Sequence, residues 1–341
     1  MVDLLPRLRD KGHDVELCLF DGVDTPFKRE LEWKGIPIHS LGVNRSVYHP
    51  ANLCGLIRLI RKGRYDIVHT HNTAPQIFAA IYGSNKITKL VTTEHGGSNR
   101  RRTWRFYKSI DSWMYKRYRK VICISQKAEG NLRKYLGSCK ADIITINNGV
   151  DIDKYANAQP TEELEQIAPC SRKIIMVAGF RWEKDQDTLI KSLKHLPINF
   201  HLFFVGDGVR HSELSMLASN EGVASRVHFL GIRTDVPNLL HAADYVVMSS
   251  HFEGLSLSSV EGMSVGKPFL ASDVDGLREV VSDAGVLFPH QDAEVFAAEI
   301  SILETSPEKY RDVAAKCRIR ANRFDISTMA TGYSNIYGSI I

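Results

Sequence analysis

The chain has 341 residues, 43% hydrophobic, 24% charged and 9% aromatic, with a formal net charge of +5, the composition of an ordinary globular protein. At this length a single hydrophobic core stops growing, so two domains are expected. No apolar run approaches the roughly 20 residues that span a bilayer, and no charged-then-apolar leader opens the chain, so it reads as cytoplasmic.

The six cysteines are scattered, with neither metal nor redox spacing, and are expected to be reduced, structural thiols. The small net charge hides an asymmetry. Residues 1–150 hold 26 Lys and Arg against 13 Asp and Glu, and the remainder hold 18 against 26, so the first half is the one to face an anionic partner.

The chain opens on a helix-like MVDLLPRLRDKGHD. A doubly wound domain normally begins with a strand and a glycine-rich turn, so the first domain is expected to lack its usual first strand. Short runs rich in Val, Ile and Phe then predict strands at 14–20, 66–70, 88–93, 120–124, 142–146, 173–178, 200–205, 226–230, 244–248 and 268–272. Amphipathic segments between and after them predict helices at 51–62, 126–136, 185–196, 209–221, 257–265, 292–304, 307–321 and 325–339. Alternating strand and helix argue for parallel sheets covered on both faces. The alternation breaks once, where residues 152–172 are polar and carry two prolines, and this stretch reads as a linker.

Ligands of such sheets bind at the carboxyl ends of the strands, so the loops there carry the candidate site. After strand 173–178 come Arg181 and Lys184, two cations placed to hold a diphosphate and neutralise it as it leaves. After strand 200–205, Gly206 and Gly208 permit close approach of a ligand to the backbone. After strand 244–248, HFEGLSLSSVEGMSVGKP sets Glu253 and Glu261 eight positions apart, with Gly254 at the turn, Ser256 as N-cap and Leu257 opening an apolar helix. The amides at 255–258, including that of Leu255, then form an anion site at the helix N-terminus. Two acids beside a phosphate site are costly unless they meet neutral donors, and sugar hydroxyls are such donors. An isolated pair of this kind is more often one solvated carboxylate and one that improves a helix start.

Taken in order, HLFFVGDG, RVHFLGIRTDVPNLLHAADYVVMSS, EGLSLSSVEGMSVGKP and LREVV closely resemble the donor-binding half of glycosyltransferase family 4, which has the GT-B fold of two Rossmann-like domains facing a cleft. DIVHTHN, TTEHG, KVICISQKAEGNL and IITINNGVD are similar to the acceptor half. The resemblance implies an acceptor-side domain over 1–151, a linker over 152–172, a nucleotide-sugar domain over 173–322 and a final helix, 323–341, returning to the first domain. It implies that Glu253 contacts the donor sugar near the reacting carbon and that Glu261 holds the ribose. It also implies that Arg181 and Lys184 grip the diphosphate, that the backbone near Gly231 and Ile232 reads the base, and that His95 faces the donor sugar. The implied enzyme is a retaining, metal-independent glycosyltransferase, with a nucleotide sugar as co-substrate, no other cofactor, UDP favoured over GDP, and a glycan or lipid-linked acceptor of bacterial polysaccharide or envelope assembly.

Two features stand apart. Asp273-Val274-Asp275 has the form of a metal-nucleotide motif of another glycosyltransferase class, but it lies downstream of the paired glutamates and is not expected to bind metal. Segment 100–120, RRRTWRFYKSIDSWMYKRYRK, mixes nine cations with six aromatics. It suits the surface of an anionic membrane, and without an accompanying nucleic-acid motif no nucleic-acid partner is expected. The plainer account is a helix with its aromatics inside and its cations solvated. A sugar-nucleotide epimerase of the same architecture and a non-catalytic nucleotide binder are the alternatives.

Overall fold

The computed structural model describes residues 1–85, 87–95, 107–254 and 256–341. They form two compact units, Met1–Asn148 with Ile326–Ile341, and Gly149–Asp325.

In the first unit, α1 (Leu4–Asp10) is followed by β1 (Leu17–Leu19), α2 (Pro26–Trp33), β2 (Ile38–Ser40) and α3 (Pro50–Gly63). Next come β3 (Ile67–His71), α4 (Thr73–Tyr82), β4 (Lys89–Glu94), α5 (Tyr107–Tyr115), β5 (Lys120–Cys123), α6 (Gln126–Leu136) and β6 (Ile143–Thr145). Every described pairing is parallel, and the strands form two sheets, β1-β2 and β3-β4-β5-β6. Local chemistry sets several helix starts. Ser125 Oγ accepts from the Ala128 amide at the head of α6, and Thr25 caps α2 ahead of Pro26, whose missing N–H costs nothing at that position.

The second unit begins with α7 (Ile152–Ala156) and α8 (Glu163–Ile167). The linker expected over 152–172 is therefore corrected: Ile152 and Leu164 belong to this unit's core, and burial of those side chains overrides the polar composition around them. Then follow β7 (Arg172–Val177), α9 (Gln186–Ser192), β8 (Phe200–Val205), α10 (His211–Asn220), β9 (Val227–Phe229), α11 (Val236–Ala242) and β10 (Tyr245–Met248). The unit closes with α12 (Leu257–Ser264), β11 (Phe269–Ser272), α13 (Asp275–Val281), β12 (Val286–Phe288), α14 (Ala293–Thr305) and α15 (Pro307–Ala321). Its six strands are parallel in the order β12-β11-β10-β7-β8-β9. The centre of the sheet is buried on both faces, through Ile174–Met176, Phe203–Val205 and Val246–Met248, as near-continuous apolar strands require.

The last helix, α16 (Ile326–Ile340), packs in the first unit, where Ile326, Ala330, Tyr333 and Tyr337 join Leu4, Leu8, Val91 and Ile122. The strands missed from sequence, β2 and β12, are three residues each, too short to show an alternating pattern.

Candidate active site

Strand order places the site. In the second unit the chain starts in the middle at β7, runs outward through β8 and β9, then returns to β10 on the other side of β7. The loops leaving β7 and β10 diverge at this reversal, where an open parallel sheet has its ligand crevice.

The β7 loop carries Arg181 and Lys184, and the β10 loop carries Glu253. Lys184 Nζ and Glu253 Oε1 form an ion pair, with the side chains 24% and 12% exposed, so the pair is largely shielded from water. Ser250 Oγ donates to the same carboxylate oxygen at 2.9 Å. The two loops are also joined through the backbone, because the His251 amide donates to the Glu183 carbonyl at 2.9 Å. Ser272 Oγ at the end of β11 accepts from the Ser250 amide and donates to the Ser250 carbonyl, both at 2.9 Å, latching the β10 loop in place. Arg181 is exposed, and its guanidinium has no hydrogen bond or ion pair among the described residues.

Ser256 occupies the N-cap position of α12, but its side chain makes no capping bond, a correction to the expected cap. The hydroxyl instead lies 2.9 Å from Ser259 Oγ, which donates to it, and Ser256 is 4% exposed. The amides of Leu257 and Ser258 consequently have no acceptor among the described residues, and the first turn of α12 keeps the positive potential that an anion needs. Glu261 is half-buried one turn further along the helix, on the side of Leu257. Leu255 lies outside the described residues.

The turn at Glu253 and Gly254 rests on the start of α13. A Cβ at Gly276 would lie 1.9 Å from the Gly254 carbonyl oxygen and 2.4 Å from that of Glu253, so a side chain there would displace the turn. Gly206 is a second point of close approach. Its φ is +136°, a Cβ would meet the Ala178 carbonyl oxygen at 2.2 Å, and its amide donates to the Gly231 carbonyl at 2.8 Å. The loops after β7, β8 and β9 are thereby drawn into one rim, on which Ile232 stands 81% exposed.

Asp273 and Asp275 both face Arg278, with Nε to Oδ1 at 2.6 Å and Nη1 to Oδ1 at 3.8 Å, so a cation is already supplied by the protein.

His95 belongs to the first unit, directly after β4. Its Nε2 lies 2.8 Å from His71 Nδ1, and the His71 ring stacks on His69 at 4.6 Å between centroids. His69 Nε2 contacts Thr93 Oγ1 at 2.8 Å and Nδ1 contacts the Tyr337 hydroxyl at 2.6 Å. Burial pushes His69 down to about 3, with His95 adding to the effect. Burial followed by the two neighbouring imidazoles lowers His71 well below the ordinary range. Loss of solvation also lowers His95, against an opposing pull from Glu94. The three rings are therefore neutral at pH 7. Only His95 was singled out from sequence; the signal for the others was the His-Thr-His alternation, which puts His69 and His71 on one face of β3.

The basic aromatic segment is partly described. Residues 100–106, with Arg100, Arg101, Arg102, Trp104 and Phe106, lie outside the described residues. Beyond them Tyr115 and Tyr118 are 0% and 5% exposed, with hydroxyls on Glu94 and on Gln76 and Thr70, so they are core rather than surface aromatics. Trp113 is exposed beneath Arg117, whose Cζ is 4.7 Å from the ring centre, and Lys116 and Arg119 are solvated.

Residues 162–320 match the family described as "Glycosyl transferases group 1", and residues 1–154 match "Glycosyltransferase Family 4". A Bacillus subtilis protein named as the glycosyltransferase EpsD is 28% identical, over 88% of this chain and 84% of its own. The Escherichia coli UDP-Gal:alpha-D-GlcNAc-diphosphoundecaprenol alpha-1,3-galactosyltransferase is 27% identical, over 84% and 78%. Anabaena HepE, crystallised with UDP, superimposes with a TM-score of 0.84 over 99% of this chain and 94% of its own at 23% identity, which extends the likeness to the fold. With both halves matched in order and the GT-B architecture in place, the chain belongs to glycosyltransferase family 4 and is a glycosyltransferase.

Proposed function

We propose that the enzyme transfers a sugar from a nucleoside diphosphate sugar, with uridine favoured over guanosine, to a hydroxyl of a glycan or lipid-linked glycan, with retention at the anomeric carbon and without a metal. The observation that carries the reading is the shielded Lys184–Glu253 pair at the sheet reversal, beside amides of α12 and an Arg181 guanidinium that have no partner among the described residues. Transfer breaks the bond from the anomeric carbon to the diphosphate and leaves negative charge on the departing oxygen. Arg181, Lys184 and the amides of Leu257 and Ser258 supply positive charge and donors to it, as a metal ion otherwise would. Lys184 is divided between Glu253 and the diphosphate when the donor arrives, freeing Glu253 to accept from sugar hydroxyls. On this reading Glu261 holds the ribose, the backbone near Gly231 and Ile232 reads the base, and His95 is assigned to the donor sugar.

Two names support the donor and acceptor classes. The Escherichia coli relative's name specifies UDP-Gal and a diphosphoundecaprenol-linked acceptor, and Anabaena HepE was crystallised with UDP-glucose as well as with UDP. Calorimetric titration with UDP, GDP and their sugar conjugates in EDTA tests the reading. Saturable binding of one diphosphate and its sugar conjugate is expected, followed by sugar transfer to a lipid-linked glycan. Binding that requires a divalent cation would refute the metal-free site. Conversion of the sugar nucleotide in the absence of acceptor would identify an epimerase, and binding without turnover a non-catalytic protein.

No helix among the described residues is long and apolar enough to cross a membrane. We place the enzyme in the cytoplasm, at the inner membrane face, through the cations of 100–120. Vesicles with anionic lipid should retain the protein, and replacing Arg100, Arg101 and Arg102 with Ala should weaken retention; equal binding to neutral vesicles contradicts the placement.

A further inference from the structure

A third charged group lies behind the Lys184–Glu253 pair and has no part in the chemistry above. Asp185, 1% exposed, opens α9 with its backbone in the left-handed region at φ +38°. One carboxylate oxygen, Oδ2, accepts from Thr188 Oγ1 at 2.8 Å and from Ser249 Oγ at 3.1 Å. The other, Oδ1, accepts no hydrogen bond among the described residues and faces His251 Nε2 at 4.0 Å. That separation is too long for a hydrogen bond. Two ligand atoms about 2.0–2.1 Å from a tetrahedral zinc lie roughly 3.3 Å apart, so an approach of under about 1 Å lets one ion bridge the gap. On the far side of His251, Nδ1 lies 2.7 Å from Nε2 of His290, which follows β12 and is exposed. One donor atom from each of the three residues lies within 4.8 Å of the others.

We propose that Asp185, His251 and His290 form a binding site for a divalent transition-metal ion of the zinc class, with water completing the shell. Two imidazoles and one carboxylate favour such an ion over magnesium or calcium, which prefer all-oxygen sets. Asp185 is held by two hydroxyls, the partners that orient a ligating carboxylate. His251 is fixed by the hydrogen bond from its amide to the Glu183 carbonyl and by Trp182, whose ring lies tilted by 36° against its own at 4.4 Å. To join the shell the exposed His290 ring gives up its 2.7 Å contact with His251 Nδ1 and turns toward the Nε2 side. None of the three residues is assigned to donor binding, so the site is separate from the metal-free transfer. It adjoins that machinery, since Asp185 follows Lys184 and His251 stands two residues before Glu253.

Equilibrium dialysis of the metal-stripped full chain against zinc chloride, with metal counted by atomic emission, tests the proposal, and visible spectra of the cobalt-loaded protein report imidazole ligation. One zinc per chain is expected. His290→Ala and His251→Ala should each weaken binding at least tenfold, by loss of a ligand. His290→Gln, at an exposed position, controls for folding and should behave like His290→Ala. His71→Ala should bind zinc as the parent does. Absence of saturable zinc binding, equal binding in both His251 and His290 variants, or loss in His71→Ala would overturn the assignment.

Discussion

At the scale of single residues, the two glutamates separate by the groups that surround them. Glu253 is locked between Lys184 and Ser250, and we assign it to the reacting centre. Glu253→Ala should lower kcat by about a hundredfold or more, the loss typical of removing a preorganised polar group from a reacting centre. Glu261, half-buried on α12 and assigned to the ribose, is proposed to bind the donor equally in ground and transition states. Glu261→Ala should raise the donor KM roughly tenfold with kcat little changed. Steady-state kinetics of both variants would contradict the roles if neither parameter moved. His69 makes a prediction of a different kind. Its folded pKa, about 3, lies below the ordinary value of 6.5, so between those two values the unfolded chain binds the extra proton. Stability of the first unit is thus fully present above pH 6.5 and declines as pH falls toward 3. At pH 5 the loss is on the order of 1–2 kcal/mol. His69→Asn should flatten that slope in denaturation experiments run from pH 7 to pH 5.

At the scale of elements, loops after strands do the positioning, and their shape comes from close backbone contact. The Glu253–Gly254 turn lies against the first turn of α13, where Gly276 leaves no room for a methyl group. Gly276→Ala should leave the secondary structure intact by circular dichroism yet reduce kcat between ten- and a hundredfold, because a displacement near 1 Å misplaces Glu253. Parent-like kinetics would show that the turn tolerates the shift. The neighbouring Asp275 is exposed and faces Arg278 at 3.8 Å. Most strands and long helices were legible in the sequence, because apolar alternation and 3.6-residue periodicity depend only on near neighbours. The two helices of 152–172 were not, since each is five residues long and is held by core burial rather than by its own pattern.

At the scale of the whole molecule, each unit carries its own core, and α16 completes the first although it follows the second in sequence. Tyr333 is fully buried there, with its hydroxyl 3.1 Å from Thr93 Oγ1, and it stacks on His69 at 5.4 Å. Tyr333→Ala should destabilise the first unit by about 3–5 kcal/mol, through lost burial and the cavity left behind. Denaturation followed by hydrogen exchange should show lower protection in β3 and β4 and little change in the β7–β10 sheet; a loss shared evenly by both units would contradict this partition.

By itself the sequence determined the alternation of strands and helices, the loops bearing Arg181, Lys184 and Glu253, and the spacing of the two glutamates, because each depends on residues adjacent in the chain. It also carried the family, through motifs in the right order. Only the tertiary structure decided that Lys184 meets Glu253 across 69 positions, since that contact follows from β10 returning beside β7. In the same way it put Tyr115 and Tyr118 inside, joined three histidines from two strand ends, and set Asp185 opposite His251. Such pairings are fixed by strand order and burial, which no local window of sequence contains.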